Sequence, residues 1–243
     1  MARIASVSFG EVFMTKQRTA DFLLRISLAA ALWICTCPSV RAESYVAGQF
    51  GVTFPNSLGN VNITTDGLGG IKLNNLDLAN SFMGGAKVGH FFSRARWLGV
   101  ETELFMTTPN VKQQSYVASA NGQSINAGQA PGESNRIITW APMNLVFRYH
   151  KTRLQPYVAV GPGLFFARRK DADGGTISGT AIGLNTQLGA RYYMTRRWAL
   201  FGEWKYNLAR IGYTNDDSSP TSALGYRATY SANIFSVGIS FHF

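Results

Sequence analysis

Seven charged residues alternate with glycine and small polar residues in segments whose other side chains are apolar. They are Lys87, Glu101, Glu103, Arg148, Arg191, Glu203 and Lys205. Glu101 and Glu103 are two residues apart, which places both carboxylates on one face of a strand, as a general acid and base pair would require. Four of the seven residues are basic, however, and would neutralise the carboxylates. The set predicts a network of buried ion pairs, with a charged path for ions as the alternative.

Other groups that could do chemistry occur in weaker patterns. The run 171–175, Asp-x-Asp-x-Gly, is similar to the start of a calcium loop, but Ile182 stands where such a loop has its bidentate glutamate. We therefore interpret the run as a polar turn. The two cysteines, Cys35 and Cys37, both precede residue 42. We expect no catalytic residue, no cofactor and no metal ion.

After residue 42 the chain consists of segments in which apolar and small residues alternate. In the last segment the apolar face consists of Phe235, Val237, Ile239, Phe241 and Phe243. The residues between them are small or polar, and a period of two is typical of a strand with two different faces. The pattern predicts eight strands, near 45–54, 80–91, 97–107, 137–149, 154–167, 180–194, 197–210 and 231–243.

The connections between these strands alternate in length. The short ones are at 93–96, 150–153 and 195–196, and the long ones at about 55–79, 108–136, 168–179 and 211–230. In an antiparallel meander all the short turns then lie at one end. Bacterial outer-membrane barrels have this arrangement, with short periplasmic turns and long extracellular loops. The sequence predicts an all-β fold, an eight-stranded antiparallel up-and-down transmembrane β-barrel.

A soluble eight-stranded barrel of the lipocalin type, with its apolar face inward, is the alternative fold. The charged residues share their face with glycines such as Gly99 and Gly189. Glycine gains nothing from facing water, whereas a narrow barrel interior needs small residues if it is to hold long side chains. The charged face is therefore predicted to line the interior. Aromatic residues on the other face, near strand ends, fit the girdles of a membrane barrel; they are Phe54, Tyr149, Tyr192 and Trp198.

Two prolines interrupt the strand pattern. Pro142 and Pro162 fall within predicted strands, where each removes a backbone donor from the sheet. A closed barrel has no edge strand that tolerates this loss. We expect each proline at a bulge or at a strand end.

Residues 1–42 have the features of a secretory signal peptide. Basic residues at 16–25 precede an apolar run at 26–35, and the segment ends in the small-x-small sequence at 40–42. The run is shorter than the roughly 20 apolar residues that a transmembrane helix needs. We expect cleavage after Ala42, with residues 43–243 as the barrel and Met14 as an alternative start.

The chain carries a formal net charge of +10, of which +7 remains after residue 42 (18 basic and 11 acidic residues). A basic balance can indicate a nucleic-acid partner. No lysine- or arginine-rich helix and no basic run interleaved with aromatic residues accompanies the charge. We therefore expect no nucleic acid among the partners.

Three passages resemble the small eight-stranded outer-membrane β-barrels of the OmpA-like and opacity-protein type. They are the strand at 154–164 with its Pro-Tyr-Val sequence, the hairpin at 189–204 and the last strand with its terminal aromatic residue. The resemblance covers residues 43–243 and departs at Pro162, where a small residue is usual. It implies insertion by the barrel-assembly machinery, which reads the end of the last strand, here Phe241 and Phe243.

Barrels of this type serve many functions, so the resemblance implies several. We favour a non-enzymatic structural or surface-interaction role, in which four long loops contact an unidentified extracellular partner. A narrow porin-like channel for small solutes is the alternative. A lipid A-modifying enzyme is less well supported, because His90, His150 and His242 all fall at the end with short turns, away from the outer leaflet.

The expected location is the outer membrane of a Gram-negative bacterium, with membrane lipid and lipopolysaccharide as partners. Arg168, Arg169 and Lys170 follow the fifth predicted strand at its extracellular end. Lipopolysaccharide phosphates lie at this level of the membrane. These three residues are the candidate lipopolysaccharide contact.

Overall fold

The computed structural model describes residues 43–56, 59–65, 68–73, 77–110, 112, 114–120, 123–130, 134–170, 176–215 and 226–243. The predicted signal peptide and the acidic run at 171–175 lie outside these residues. None of the described residues belongs to a helix long and apolar enough to cross a membrane.

Twelve strands form one sheet in the described part of the chain. Their bounds are β1 Glu43–Pro55, β2 Gly59–Thr65, β3 Leu68–Leu73, β4 Ser81–Phe91, β5 Leu98–Thr107, β6 Gln114–Ala120, β7 Gln123–Ala130, β8 Ser134–Arg148, β9 Leu154–Lys170, β10 Thr176–Tyr193, β11 Trp198–Asn215 and β12 Tyr226–His242. Eight of them follow one another in the order β1-β4-β5-β8-β9-β10-β11-β12, and β12 pairs with β1. The predicted closed, antiparallel, eight-stranded barrel is confirmed.

The first and last strands close the barrel over their full length. Their register runs from Tyr45 opposite His242 to Pro55 opposite Ala232. Beyond it, the backbone N–H of Ser44 donates to the carbonyl of Phe243 (3.0 Å), and the N–H of Phe243 donates to the carbonyl of Ser44 (2.9 Å). The connections at 92–97, 149–153 and 194–197 lie at this end of the barrel, which we call the short-turn end. The opposite end is the long-loop end.

The strands differ from the predicted ones mainly at the long-loop end. β8 to β12 extend there by up to five residues beyond the predicted bounds, and two hairpins, β2–β3 and β6–β7, lie within segments predicted to be loops. β12 pairs with β2, and β3 with β6, so the sheet continues past the barrel. These parts were not predicted because the strand faces change outside the lipid: the inward face becomes apolar, as at Ile211 and Ala228, and the outward face becomes polar, as at Arg227. The pattern that indicates a membrane strand is therefore absent there.

The two prolines meet at one irregularity in the sheet. The register of β8 shifts against β5 between Glu101 and Glu103, and against β9 between Trp140 and Leu145. Pro142 lies within this bulge, as expected. Pro162 of β9 lies opposite the same stretch of β8. The two missing donors therefore fall where the ladder is already interrupted.

The two faces of the strands are placed as predicted. The interior face of β5 is buried from Gly99 to Thr107, and the apolar side chains between these positions face outward, with Leu104 53% exposed. The girdle residues Phe54, Tyr149, Tyr192 and Trp198 are all exposed on the outside. Inside, one apolar cluster occupies the long-loop half, including Met83, Phe105, Ile137, Phe165, Ile211 and Tyr230. The charged side chains lie in the other half.

Candidate functional site: the charged interior of the barrel

Lys87 is at the centre of the interior charge network. Its ammonium group lies 2.5 Å from Glu203 Oε1, 3.3 Å from Glu101 Oε1 and 3.9 Å from Glu103 Oε1. It also donates a hydrogen bond to Gln187 Oε1 (3.3 Å). The Lys87, Glu103 and Glu203 side chains have no exposed surface. Three carboxylates therefore share this lysine in a place that bulk water does not reach.

Lys205 makes a second set of ion pairs, one of which crosses the barrel. Its ammonium group contacts Glu103 Oε1 and lies 3.1 Å from Glu203 Oε2, again with fully buried partners. Glu103 belongs to β5 and Lys205 to β11, and these strands lie opposite each other in the ring of eight. The pair therefore connects opposite walls.

Uncharged side chains complete the coordination of the carboxylates. Tyr45 donates its hydroxyl hydrogen to Glu101, and Tyr157 donates to Glu203. Glu103 accepts from Gln49 and from Gln187, the latter at 2.6 Å. Because each carboxylate has both cationic and neutral donors, the cost of burying its charge is offset.

Glycine makes room for this network. An added Cβ at Gly189 would stand 2.8 Å from Tyr157 Cζ and 2.9 Å from Glu203 Cγ. Either contact would displace the Tyr157–Glu203 pair. The association of small and charged residues on one strand face, which indicated the interior in the sequence, has this steric basis.

Arg191 is held by aromatic rings. Its guanidinium carbon lies 4.2 Å from the centre of the Tyr45 ring, 5.4 Å from Tyr157 and 5.8 Å from Phe91. Within the described residues it has no carboxylate at ion-pair distance. Cation–π contacts thus stabilise this charge between the Lys87 network and the short-turn end.

Arg148 lies in a separate cluster at the short-turn end, although the sequence grouped it with the other charges. Its guanidinium forms a bidentate pair with Glu43, at 2.5 Å and 3.0 Å, and donates to Gln155 Oε1 (3.2 Å). Glu43 was not among the predicted interior charges, because its pairing depends on how β1 closes against the other strands. With Glu43 included, the short-turn half of the interior contains four basic and four acidic side chains.

His242 belongs to the same cluster, and its contacts with Glu43 and Ser240 resemble those of a catalytic triad. Its Nδ1 lies 2.7 Å from Glu43 Oε1, and its Nε2 lies 2.9 Å from Ser240 Oγ. This is the order of contacts in a serine–histidine–acid triad. Ser240, however, is fully buried, and its Oγ also lies 3.3 Å from the carbonyl of Ala199. Glu43 is already neutralised by Arg148, so the arrangement is that of a structural cluster.

The other two histidines are not part of a comparable group. His90 Nδ1 lies 2.9 Å from Ser44 Oγ. His150 is in the turn after β8, where desolvation and the neighbouring Arg96, Arg148 and Lys151 lower its pKa. No group of three or more metal-ligating side chains occurs among the described residues.

A polar belt separates the charge network from the apolar cluster. Asn185 donates to Asn144 Oδ1 (3.3 Å), while Asn207 and Thr53 lie nearby on β11 and β1. Asn207 is fully buried, and neither of its amide atoms has a hydrogen-bond partner within the described part of the chain. The interior is thus layered from charged, through polar, to apolar along the barrel axis.

The candidate lipopolysaccharide residues do not share one face. Arg168 is exposed and points outward, directly opposite the exposed Arg136 of β8. Arg169 is half-buried and has the opposite phase, and the side chain of Lys170 is not among those described. Two further exposed arginines, Arg210 and Arg227, lie in the long-loop parts of β11 and β12. Arg210 is the last residue of the predicted strand 197–210, whereas Arg227 precedes the predicted strand 231–243 and would have been found only with a longer one.

The terminal aromatic residues lie at the short-turn end. Phe241 packs against Trp198, with ring centres 5.0 Å apart, and against Phe243 at 6.3 Å. Phe243 is 54% exposed on the outer face. The end of the last strand is therefore an apolar surface beside the closed seam of the barrel.

The fold agrees with that of solved outer-membrane barrels. Neisserial surface protein A has 14% sequence identity and a TM-score of 0.51, over 83% of this chain and 99% of that chain. OprG from Pseudomonas aeruginosa has 12% identity and a TM-score of 0.54, over 83% and 96%. AlkL in DMPC lipid bilayers has 17% identity and a TM-score of 0.50, over 86% and 93%. At these identities the likeness concerns the fold alone.

Comparison with protein families is more specific. No curated protein matches the sequence. The model of the outer membrane protein beta-barrel domain, however, matches residues 27–243. The closed ring of eight antiparallel strands and its outward apolar face agree with that match. The chain belongs to the outer membrane protein beta-barrel domain family and is a small eight-stranded barrel of the Gram-negative outer membrane.

Proposed function

We propose that the protein is a non-enzymatic barrel, closed by its own side chains, that acts through its long-loop end. The observation that carries this proposal is the set of fully buried ion pairs of Lys87 and Lys205 across the interior. Open aqueous pores are found in barrels of about 16 strands, whereas a ring of eight has an interior that side chains can fill. Closure predicts that the folded protein passes no discrete current.

A narrow channel for small solutes is the second candidate. The amide of Asn207 and the hydroxyl of Thr53, which have no hydrogen-bond partner among the residues that the structure describes, are polar groups that water would solvate. A solute would nevertheless have to separate Lys205 from Glu103, and then pass the apolar cluster. Because the ion pair and the apolar cluster both block the path along the barrel axis, a closed interior fits the structure better than a conducting one.

The surface role is supported by outward-facing arginines at the long-loop end. Arg136 and Arg168 are direct partners across β8 and β9, and both side chains are exposed. Like charges that lie directly opposite each other in a sheet repel unless an anion lies between them. Lipopolysaccharide phosphates at this level would supply that anion. We therefore propose Arg136 and Arg168 as the contact, in place of the run from Arg168 to Lys170.

Neutralising Arg136 and Arg168 to Gln together is expected to weaken lipopolysaccharide binding by roughly tenfold or more, since each basic side chain near an anionic surface contributes about 1 kcal/mol. Binding of purified lipopolysaccharide to the refolded protein in detergent measures the effect. The matched control is Arg94→Gln with Arg96→Gln, in a turn at the short-turn end. Equal affinity of the Arg136/Arg168 variant and the wild type would remove the proposal.

A further inference from the structure

Charge is distributed unevenly between the two ends of the barrel. The three short turns contain Arg94, Arg96, Lys151, Arg153, Arg196 and Arg197, all exposed. None of these turns contains an acidic residue. Glu43, the carboxylate at this end of the strands, is bound by Arg148 and His242. The short-turn end therefore presents cations without matching carboxylates from its own turns.

Half of these cations surround one pocket. The turns at 149–153 and 194–197 enclose a space of about 450 Å³, lined by Lys151, Arg153 and Arg196 and by the hydroxyl-bearing Thr152 and Thr195. Three cations and the Thr195 hydroxyl in a concave site are donors of the kind that a phosphate group binds in proteins, while the Thr152 hydroxyl donates to the carbonyl of Leu154 (2.5 Å). Arg94, Arg96 and Arg197 lie on the same end of the barrel but do not line the pocket.

The walls of the pocket are fixed before any ligand binds. The backbone N–H of Tyr193 donates to the carbonyl of Arg153 (3.0 Å), which joins the two turns. Thr195 Oγ1 accepts from the backbone N–H groups of Arg197 (3.2 Å) and Trp198 (2.9 Å), so its hydroxyl hydrogen points elsewhere. Tyr193, which lines the pocket, donates its hydroxyl hydrogen to Glu43 (2.5 Å). The two turns that carry the cations are therefore held together, which reduces the entropic cost of binding.

The lipid-facing side of the same turns is apolar. Tyr192 and Leu154 are partners across β9 and β10, and both face outward, 48% and 54% exposed. Met194 lines the pocket and is 43% exposed, and Trp198 follows on β11. Aromatic residues in this position mark the headgroup level of the membrane. A ligand with its phosphate in the pocket would have this apolar surface beside it.

We propose that this pocket binds the phosphate group of an anionic phospholipid in the inner leaflet of the outer membrane. The combination of three cations with an adjoining apolar wall selects an amphiphile over a free anion. The net negative charge of the headgroup selects an anionic lipid over a zwitterionic one. This site lies at the end opposite the lipopolysaccharide contact and is independent of it.

Native mass spectrometry of the refolded protein, with dioleoylphosphatidylglycerol and dioleoylphosphatidylcholine in equal amounts, tests the proposal. The wild type is expected to retain phosphatidylglycerol in preference to phosphatidylcholine by about tenfold or more. The triple variant Lys151→Gln/Arg153→Gln/Arg196→Gln is expected to lose this preference. The control Arg94→Gln/Arg96→Gln/Arg197→Gln removes the same charge from the same end and is expected to keep it to within about twofold.

Three results would overturn the proposal. The first is a wild type without lipid preference, and the second is an equal loss of preference in both triple variants, which would indicate diffuse attraction to the whole end. The third is displacement of phosphatidylglycerol by inorganic phosphate at equal concentration, which would assign the pocket to free phosphate. If the triple variant of the pocket residues does not show the gel mobility of a folded barrel, the single variant Arg196→Gln is measured in its place. It is expected to lose part of the preference for phosphatidylglycerol.

Discussion

Replacing Lys87 with Met is expected to destabilise the folded barrel by about 3–5 kcal/mol, since removing one partner of a buried ion pair leaves the others uncompensated. Glu101 and Glu203 would lose the ammonium group that they share, and Lys205 would remain as the ion-pair partner of Glu103 and Glu203. Reversible urea unfolding in lipid vesicles, followed by tryptophan fluorescence, measures the change. Arg94→Met, in an exposed turn, is the matched control and is expected to change stability by less than about 0.5 kcal/mol.

A second variant separates the loss of the ion pair from the loss of packing. In Lys87→Met/Glu203→Gln one carboxylate charge is removed together with the ammonium group, so the variant is expected to be more stable than Lys87→Met alone. With Glu203→Gln measured alone as well, a double variant that is less stable than the wild type by the sum of the two single losses would mean that the two residues do not interact. The ion-pair network would then not stabilise this layer of the interior.

Replacing Leu104 with Arg is expected to cost about 2–4 kcal/mol, the range for a basic residue on the lipid face near the midplane of a bilayer. Leu104 lies on β5, opposite Ala86 and Trp140 on the neighbouring strands, and its side chain is 53% exposed on the outer face. The measurement is again reversible unfolding in vesicles, because detergent micelles adapt to a charge more readily than a bilayer does.

Leu154→Arg is the matched control for depth. Leu154 is exposed to the same extent, 54%, but it is the first residue of β9 at the short-turn end. A basic residue near the membrane interface costs only about 0–1 kcal/mol. Equal costs at the two positions would mean that Leu104 is not in the hydrocarbon region, and that the outward face has been assigned to lipid wrongly.

The strands and their faces could be predicted from the sequence because lipid on one side and a narrow interior on the other impose a strict period of two. The last strand shows this, with Phe235, Val237 and Ile239 exposed and Ser236 and Ser240 buried. The bulge at Pro142 was predictable for a similar local reason, since a missing donor needs an interruption of the ladder.

The partners of the charged residues could not be predicted in the same way. The phase of a strand places Arg148 inside, but its pairing with Glu43 depends on the register that brings Tyr45 opposite His242. Because Tyr45 and His242 come from the two ends of the barrel sequence, no local pattern indicates this register. The long-loop extensions of β8 to β12 were also missed, because the outward face becomes polar there, as at Arg136, while the inward face becomes apolar, as at Ile137. This reverses the pattern of a lipid-facing strand.

Single-channel conductance of the refolded protein in a planar bilayer tests the closed interior most directly. With Lys87, Lys205 and their carboxylates paired across the barrel, the folded wild type is expected to pass no discrete current, and Lys87→Gln, Arg148→Gln and Arg191→Gln are measured beside it. Discrete conductance of the wild type that changes when these residues are neutralised would contradict closure and make the interior a path for ions.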